Sequence, residues 1–139
     1  MRFIYQYPEA AGTECDMLES GAITDIAAGV EQAGWDGIAF TEHPAPGARW
    51  LEAGGHQTLD PFVARAAAAA GTSRMRLVTY LSVAPYRKPL LWATAAATLA
   101  RVSAGRFVLG VGTGYLRGEF RALGVEFDAR NRLFDEALE

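Results

Sequence analysis

Short apolar runs alternate along the chain with longer segments in which apolar residues recur at helical spacing. Four runs have the length and the β-branched or aromatic content of buried strands, beginning near positions 2, 37, 76 and 106. Between them, positions such as Ile23, Ile26, Ala27 and Val30 follow the spacing of one helix face. This strict alternation predicts an α/β fold with parallel strands joined by right-handed crossovers.

Capping residues and breakers place several boundaries. Asp60 and Pro61 predict the N-cap and first turn of a helix that carries the alanine run Ala66 to Ala70. Asp128 predicts the cap of the last helix. That helix is cut at Glu139 without a stop signal, so we expect residues 1–139 to be a single, incomplete domain.

The fourth strand run, Phe107 to Val111, breaks into a loop with glycines on alternate positions, Gly110, Gly112 and Gly114. Glycine lets a ligand come close to the main chain and tolerates positive φ. The pattern therefore predicts a parallel strand that delivers a backbone-rich loop to a ligand. The alternative is a tight strand-to-helix turn without a ligand.

The second strand run ends in two ionisable residues, Glu42 and His43. An imidazole titrates near neutral pH, which makes His43 the sharpest candidate for proton exchange, and Glu42 is expected to orient it. A simple hydrogen bond between these two neighbours is the alternative without chemistry. His56 is a weaker candidate, because its glycine-bearing loop also suits an exposed position.

Charge and composition exclude several functions. Thirteen basic and 16 acidic residues give a net charge of −3 without any run of like charges, which argues against nucleic-acid and membrane-surface binding. The apolar stretch from Phe62 to Gly71 is broken by Arg65 and falls short of the roughly 20 residues of a membrane span. One cysteine, Cys15, excludes an internal disulfide and a cysteine-cluster metal site. With no signal peptide evident, we expect a soluble, cytoplasmic protein that binds no metal.

In combination and in order, several motifs resemble the luciferase-like monooxygenase superfamily: Thr41-Glu42-His43-Pro44, Gly55-His56, Leu59-Asp60-Pro61, Pro85-Tyr86-Arg87-Lys88-Pro89 and Gly110-Val111-Gly112-Thr113-Gly114-Tyr115. The continuation through Gly118-Glu119-Phe120 looks most like the branch that uses coenzyme F420. The resemblance implies a TIM barrel, which typically takes about 250 residues, with this chain as its first four βα units. It also implies an oxidoreductase that transfers hydride between coenzyme F420, or alternatively FMN, and a small organic substrate.

The resemblance implies roles for residues at the strand ends, where TIM barrels place their active sites. His43 and Glu42 would be catalytic, with His43 beside the deazaflavin ring. The third strand would lie against the back of the ring, with a non-proline cis peptide at or beside Tyr80-Leu81. The implied cofactor-binding residues are Thr79, Tyr80, Leu81, Gly112, Thr113 and Gly114.

At two positions this sequence differs from members of the family, and the differences bear on which cofactor and substrate the resemblance implies. Bacterial luciferase has an arginine near the position of Thr113, and its absence weakens the FMN alternative. F420-dependent sugar-phosphate dehydrogenases have a glutamate where this chain has Tyr115, which puts a sugar-phosphate substrate in doubt. Family members commonly dimerise, and the alanine-rich helix and the unpaired outer strands lead us to expect a homodimer or other self-association.

Other functions stay open. The segment Val108 to Gly114 superficially resembles the S-adenosylmethionine loop of methyltransferases, although Gly110 stands where that loop has an acidic residue. A dinucleotide fingerprint fits worse, because Tyr115 occupies the place of its third glycine. A half-barrel without catalysis, acting as an assembly partner, is the alternative from a different class.

Overall fold

The computed structural model describes residues 1–9 and 23–139. Within them, four parallel strands form a sheet in the order β1 (Ile4–Gln6), β2 (Gly37–Phe40), β3 (Arg76–Thr79) and β5 (Phe107–Val108). A second parallel pair continues its last two strands, β4 (Ser82–Val83) with β6 (Val111–Gly112). The four predicted strand positions are confirmed, whereas Cys15 lies outside the described residues.

The helices follow the strands in the predicted alternation. They are α1 (Ile23–Gln32), α2 (Ala48–Glu52), α3 (Pro61–Ala70), α4 (Pro89–Val102), α5 (Arg117–Ala122) and α6 (Arg130–Leu138), with a 3₁₀ turn at Ala84–Tyr86. The sequence pattern did not predict α2, which is a short helix without a periodic apolar face. In the part of the chain that the structure describes, no helix is both long and apolar enough to cross a bilayer.

Two apolar clusters hold the helices against the sheet. In the first, α1 and α3 cover β1, β2 and β3, and Ile38 and Leu77 are completely buried. In the second, Phe62 packs with Trp92 and Leu99 of α4. Since burying one such side chain is worth roughly 1.5–3 kcal/mol, these clusters fix the positions of the strand ends that carry the candidate site.

The third and fourth strand runs are each interrupted, which the sequence did not predict. The peptide bond between Tyr80 and Leu81 is cis, at the place that the family resemblance implies. Beside it, the Thr79 hydroxyl donates to the Gly110 carbonyl and accepts from the Gly110 N–H, both at 2.6 Å. This side chain bridges the two strands where their regular backbone pairing stops.

The N-cap predicted at Asp60 is confirmed, because its Oδ1 accepts hydrogen bonds from the backbone of Phe62 at 2.9 Å and of Val63 at 3.0 Å. The cap predicted at Asp128 is wrong. Ala129 occupies the N-cap of α6, and Asp128 instead accepts from Arg117 at the surface, at 3.2 Å.

Arg65, which interrupts the apolar stretch of α3, is completely buried. Its guanidinium donates to the carbonyls of Phe40 at 2.7 Å and Val78 at 2.5 Å. Burial lowers the pKa of Arg65 to about 9, while the charges of Glu42, Asp60 and Glu9 oppose the shift. Arg65 thereby ties α3 to the carboxyl ends of β2 and β3.

Candidate functional site

A cavity of about 480 Å³ opens at the carboxyl ends of the parallel strands. It is lined by three segments that follow β2, β3 and β5, as the sequence predicts for one rim. The predicted site residues that line it are Glu42, His43, Tyr80, Leu81, Gly112, Thr113 and Gly114. Thr79 does not line it, because its side chain is buried in the bridge to Gly110.

His43 is buried at the edge of this cavity. Its backbone N–H donates to the Thr58 hydroxyl at 2.8 Å, and its ring packs against Trp50 with ring centroids 4.6 Å apart. The ring nitrogen Nδ1 lies 3.4 Å from Oε2 of Glu119. With Nδ1 directed at a carboxylate, Nε2 is the nitrogen left for a ligand.

Glu119 comes from α5 and is almost completely buried. The Tyr86 hydroxyl donates to the same oxygen, Oε2, at 2.8 Å, while Oε1 has no hydrogen-bond partner among the described residues. Burial raises the pKa of Tyr86, and the hydrogen bond to Glu119 and its charge raise it further. Tyr86 therefore stays a proton donor to Glu119 over the whole physiological range.

The expectation that Glu42 orients His43 is wrong. The Glu42 carboxylate accepts from the Ser82 hydroxyl at 3.0 Å and the Val83 N–H at 2.7 Å through Oε2, and from Arg87 through Oε1. The His43 ring instead has Glu119 as its carboxylate partner. With both oxygens occupied, Glu42 holds the cavity wall and is not available as an acid or base.

Arg87 also donates to Asp60 Oδ2 at 2.9 Å, so it bridges two carboxylates. Burial lowers the pKa of Arg87, but the charges and hydrogen bonds of Glu42 and Asp60 outweigh this and raise it. In Asp60 burial raises the pKa, and hydrogen bonds from Val63 and Arg87 reverse the shift. Arg87 thus shares its single positive charge between the two carboxylates.

The open side of the cavity is formed by large side chains. Tyr80 is 64% exposed, Leu81 is 40% exposed and Tyr115 is 63% exposed. The Tyr115 ring stands edge-on to His43, with centroids 5.9 Å apart, and burial together with the Glu119 charge raises the pKa of its hydroxyl. The site therefore offers apolar surface directly beside an imidazole.

The glycines of the loop have packing reasons of their own. A Cβ at Gly112 would stand 2.5 Å from Cδ1 of Leu81, and Gly114 has a φ of +78° that favours glycine. The positive φ accounts for Gly114 without a ligand, and the contact with the Leu81 side chain favours a small residue at position 112. The glycine pattern therefore carries less functional information than the sequence suggested.

His56 is neither free nor fully exposed. Its Nε2 lies 3.1 Å from Oε2 of Glu9, and its ring packs against both Trp50 and His43. The sequence pattern predicts no role for Glu9 or Trp50, because neither belongs to a periodic pattern, and Glu119 stands out only as part of the motif Gly118-Glu119-Phe120. Among the described residues, no group of three or more His, Cys, Asp and Glu side chains is placed to hold a metal ion.

Comparison with known proteins identifies the family. A family model described as luciferase-like monooxygenase matches residues 1–139. The chain is 34% identical over 110 residues to the F420-dependent glucose-6-phosphate dehydrogenase of Gordonia bronchialis, an alignment that covers 77% of this chain and 31% of that protein. The chain thus spans less than a third of this relative's length.

Solved structures give the fold. Monooxygenase RslO1 from Streptomyces bottropensis superposes with a TM-score of 0.80 at 30% identity, over 99% of this chain and 41% of that one. The oxygenating constituent of 3,6-diketocamphane monooxygenase from Pseudomonas putida, in complex with FMN, superposes with a TM-score of 0.83 at 20% identity, over 99% and 37%. The predicted fold is confirmed: the chain forms about the first four βα units of a TIM barrel of the luciferase-like type.

Proposed function

Because the chain belongs to the luciferase-like monooxygenase family, we propose that it contributes the His43 half of an oxidoreductase site that transfers hydride between a flavin-type cofactor and a small organic substrate. One observation carries this proposal. An imidazole with one nitrogen committed to a buried carboxylate lies at the edge of a cavity whose open side is apolar.

The residues present fit a flat ring system. The cavity volume of about 480 Å³ falls in the range of roughly 300–1,000 Å³ typical of ligand sites. Tyr80 and Leu81 offer exposed apolar surface to one face of a ring, and the loop from Gly112 to Gly114 offers backbone groups and one hydroxyl to its edge. When bound, a deazaflavin or flavin supplies the carbon or nitrogen that exchanges hydride.

His43 supplies the proton chemistry. Its Nε2 exchanges a proton with a substrate oxygen while the neighbouring carbon gains or loses hydride. Glu119 holds the ring orientation through Nδ1 and balances the charge of the imidazolium that forms. Trp50 covers one side of the ring and limits the access of water.

Coenzyme F420 is the cofactor that we propose, with FMN as the alternative. The relative from Gordonia bronchialis is named as F420-dependent, and this chain has Thr113 near the position where bacterial luciferase has an arginine. The structure from Pseudomonas putida contains FMN, which supports the alternative. Tyr115 argues against a sugar phosphate as the substrate, because it replaces the acidic residue of the dehydrogenases that use one.

Fluorescence titration with F420 and with FMN tests the proposal. The protein to use is a completed barrel, made by joining the chain to the second half of a family relative, beside the chain alone. Since closing such a barrel takes about eight strands and the described residues supply four in the main sheet, we expect micromolar binding of F420 by the completed barrel only. If the completed barrel bound neither cofactor, the proposed function would be contradicted. If that barrel formed but bound no cofactor, the result would favour a structural role for the chain as an assembly partner.

A further inference from the structure

A second acid–base pair, Glu9 and His56, lies beside His43 and takes no part in the function proposed above. Glu9 belongs to the segment after β1, and His56 follows α2, so the pair joins two loops at the rim of the sheet. The Glu9 side chain is 6% exposed, and the His56 side chain is 29% exposed. The carboxylate is therefore enclosed while its imidazole partner reaches solvent.

Thr41 fixes the orientation of this pair. Glu9 Oε1 accepts hydrogen bonds from the Thr41 N–H at 3.0 Å and from the Thr41 hydroxyl at 2.5 Å. The same hydroxyl oxygen lies 3.3 Å from Nε2 of His56. Because the hydroxyl proton is given to Glu9, both oxygens near Nε2 of His56 are acceptors, and Nε2 carries the proton.

Nδ1 is then the basic nitrogen of His56, and it makes no hydrogen bond within residues 1–9 and 23–139. A carboxylate at 3.1 Å from the opposite nitrogen balances the charge that a proton on Nδ1 would create. Among residues 1–9 and 23–139, the ionisable groups that contact the His56 ring are Glu9 and His43. This arrangement suits a ring that gains and loses a proton repeatedly.

His56 lies on the solvent side of His43. The two imidazole centroids are 5.0 Å apart with the rings nearly perpendicular, and both rings contact Trp50. Side-chain exposure falls from 29% in His56 to 10% in His43 and 2% in Glu119. A proton leaving His43 therefore meets solvent through His56 sooner than through Glu119.

We propose that His56 carries protons between His43 and solvent, an inference that rests on the proton-exchange role proposed for His43. His56 binds the proton at Nδ1 to give an imidazolium beside the Glu9 carboxylate, and releases it from Nδ1 to water. Only N–H bonds are made and broken in this step, and the charge of the pair returns to its starting value.

The test uses the 139-residue chain without any cofactor. Its only two histidines, His43 and His56, give a simple nitrogen-15 imidazole spectrum, in which the exchange of the His43 ring proton with water can be measured. We expect His56→Gln, which keeps a hydrogen-bond donor for Glu9, to slow this exchange by about tenfold or more. Added free imidazole should restore the rate. Arg49→Gln, a charge change at an exposed position of α2, should leave the exchange rate unchanged.

Two results would overturn the inference. An unchanged exchange rate in His56→Gln would show that protons bypass this ring. A slower rate that imidazole does not restore would show that His56 only ties the loops together. Should His56→Gln lose its native amide spectrum, Glu9→Gln provides the same comparison, since removal of the charge should also slow the exchange and leave it open to rescue. Because no cofactor is present, failure of F420 or FMN to bind does not affect this test.

Discussion

Arg87 donates two hydrogen bonds to one carboxylate oxygen of Glu42, Oε1, from Nε at 3.0 Å and from Nη2 at 2.5 Å. The other Glu42 oxygen accepts hydrogen bonds from Ser82 and Val83. The Arg87 guanidinium also donates to Asp60, the N-cap of α3. The pair thus joins the wall of the cavity to the cap of a helix. Its role is to position the strand ends rather than to move protons.

Replacing Glu42 with glutamine should destabilise the chain markedly. The Glu42 side chain is 2% exposed, and losing one partner of a buried ion pair typically costs about 3–5 kcal/mol. Since Arg87 is 28% exposed and keeps Asp60, we expect a loss of about 2 kcal/mol in the free energy of unfolding. Urea denaturation at neutral pH measures it.

The exposed pair of Arg132 and Glu136 in α6 provides the matched control. Glu136→Gln should cost about 0.3–0.5 kcal/mol, as is usual for helix pairs four residues apart. Equal losses in the two variants would mean that Glu42 stabilises the rim no more than a surface residue does.

His43→Ala in the completed barrel should slow cofactor reduction far more than it weakens cofactor binding. Loss of a general acid or base typically lowers the rate by about 10²–10⁴-fold. Glu119→Gln keeps an oxygen near Nδ1 but removes the charge, so its rate of cofactor reduction should lie between those of His43→Ala and the unchanged protein. Stopped-flow reduction provides the rates and fluorescence titration the affinities. A change of less than about threefold in His43→Ala would rule out the proton-transfer role.

The strand ends could be predicted from the sequence because each strand is a short run of apolar residues bounded by breakers. His43 and the residues after β3 and β5 follow those runs directly, so their common rim was predictable. The partners of His43 were not. Glu119 lies 76 residues further along the chain, and its contact with His43 depends on how α5 packs.

The prediction that Glu42 orients His43 relied on the two residues being neighbours in sequence, and it was wrong. The carboxylate nearest to His43 in sequence binds Ser82, Val83 and Arg87 instead of the imidazole. The role of Glu9 depends on hydrogen bonds with Thr41, 32 residues away. Such long-range polar contacts leave no periodic signal, so the fold was predictable while the pairing of ionisable groups was not.

Glu31 makes the stability of the folded chain depend on pH in the acid range. Burial raises the pKa of Glu31, but it accepts hydrogen bonds from the backbone of Arg74 at 2.8 Å, Met75 at 2.7 Å and Ser73 at 3.1 Å, which lower the pKa from 4.5 to about 2. A lowered pKa stabilises the folded chain above the unfolded value of 4.5, and this contribution is lost as the pH falls toward about 2.

We therefore expect Glu31→Gln to lose about 1 kcal/mol of stability at neutral pH and to approach the unchanged protein in acid. Unfolding curves in urea at several pH values between about 2 and 7 measure the difference. Asp135→Asn removes an equal charge from an exposed position of α6. Its free energy of unfolding should change with pH in parallel with that of the unchanged chain. A pH-independent difference for Glu31→Gln would contradict the assignment.

An apolar groove between α3 and α4 suggests how two copies of the chain associate. Val63 is 70% exposed and Val102 is 61% exposed on its walls. The residues that line it are Phe62, Val63, Ala66, Ala95, Thr98, Leu99 and Val102. Of the alanine run, Ala66 is the member that lines the groove, so a second helix can approach closely there.

We propose that the chain self-associates through this groove and expect a species heavier than the monomer mass of 14.9 kDa in light scattering after size-exclusion chromatography. Ala66→Glu should dissociate it, because a charge would be buried without a partner. Ala70→Glu, on the same helix but outside the groove, is the matched control and should leave it intact. If both variants stay associated, the outer strands β1 and β5, each paired on one side only within the described sheet, hold the chains together instead. A folded monomer over a hundredfold range of concentration, roughly from micromolar upward, would rule out both arrangements.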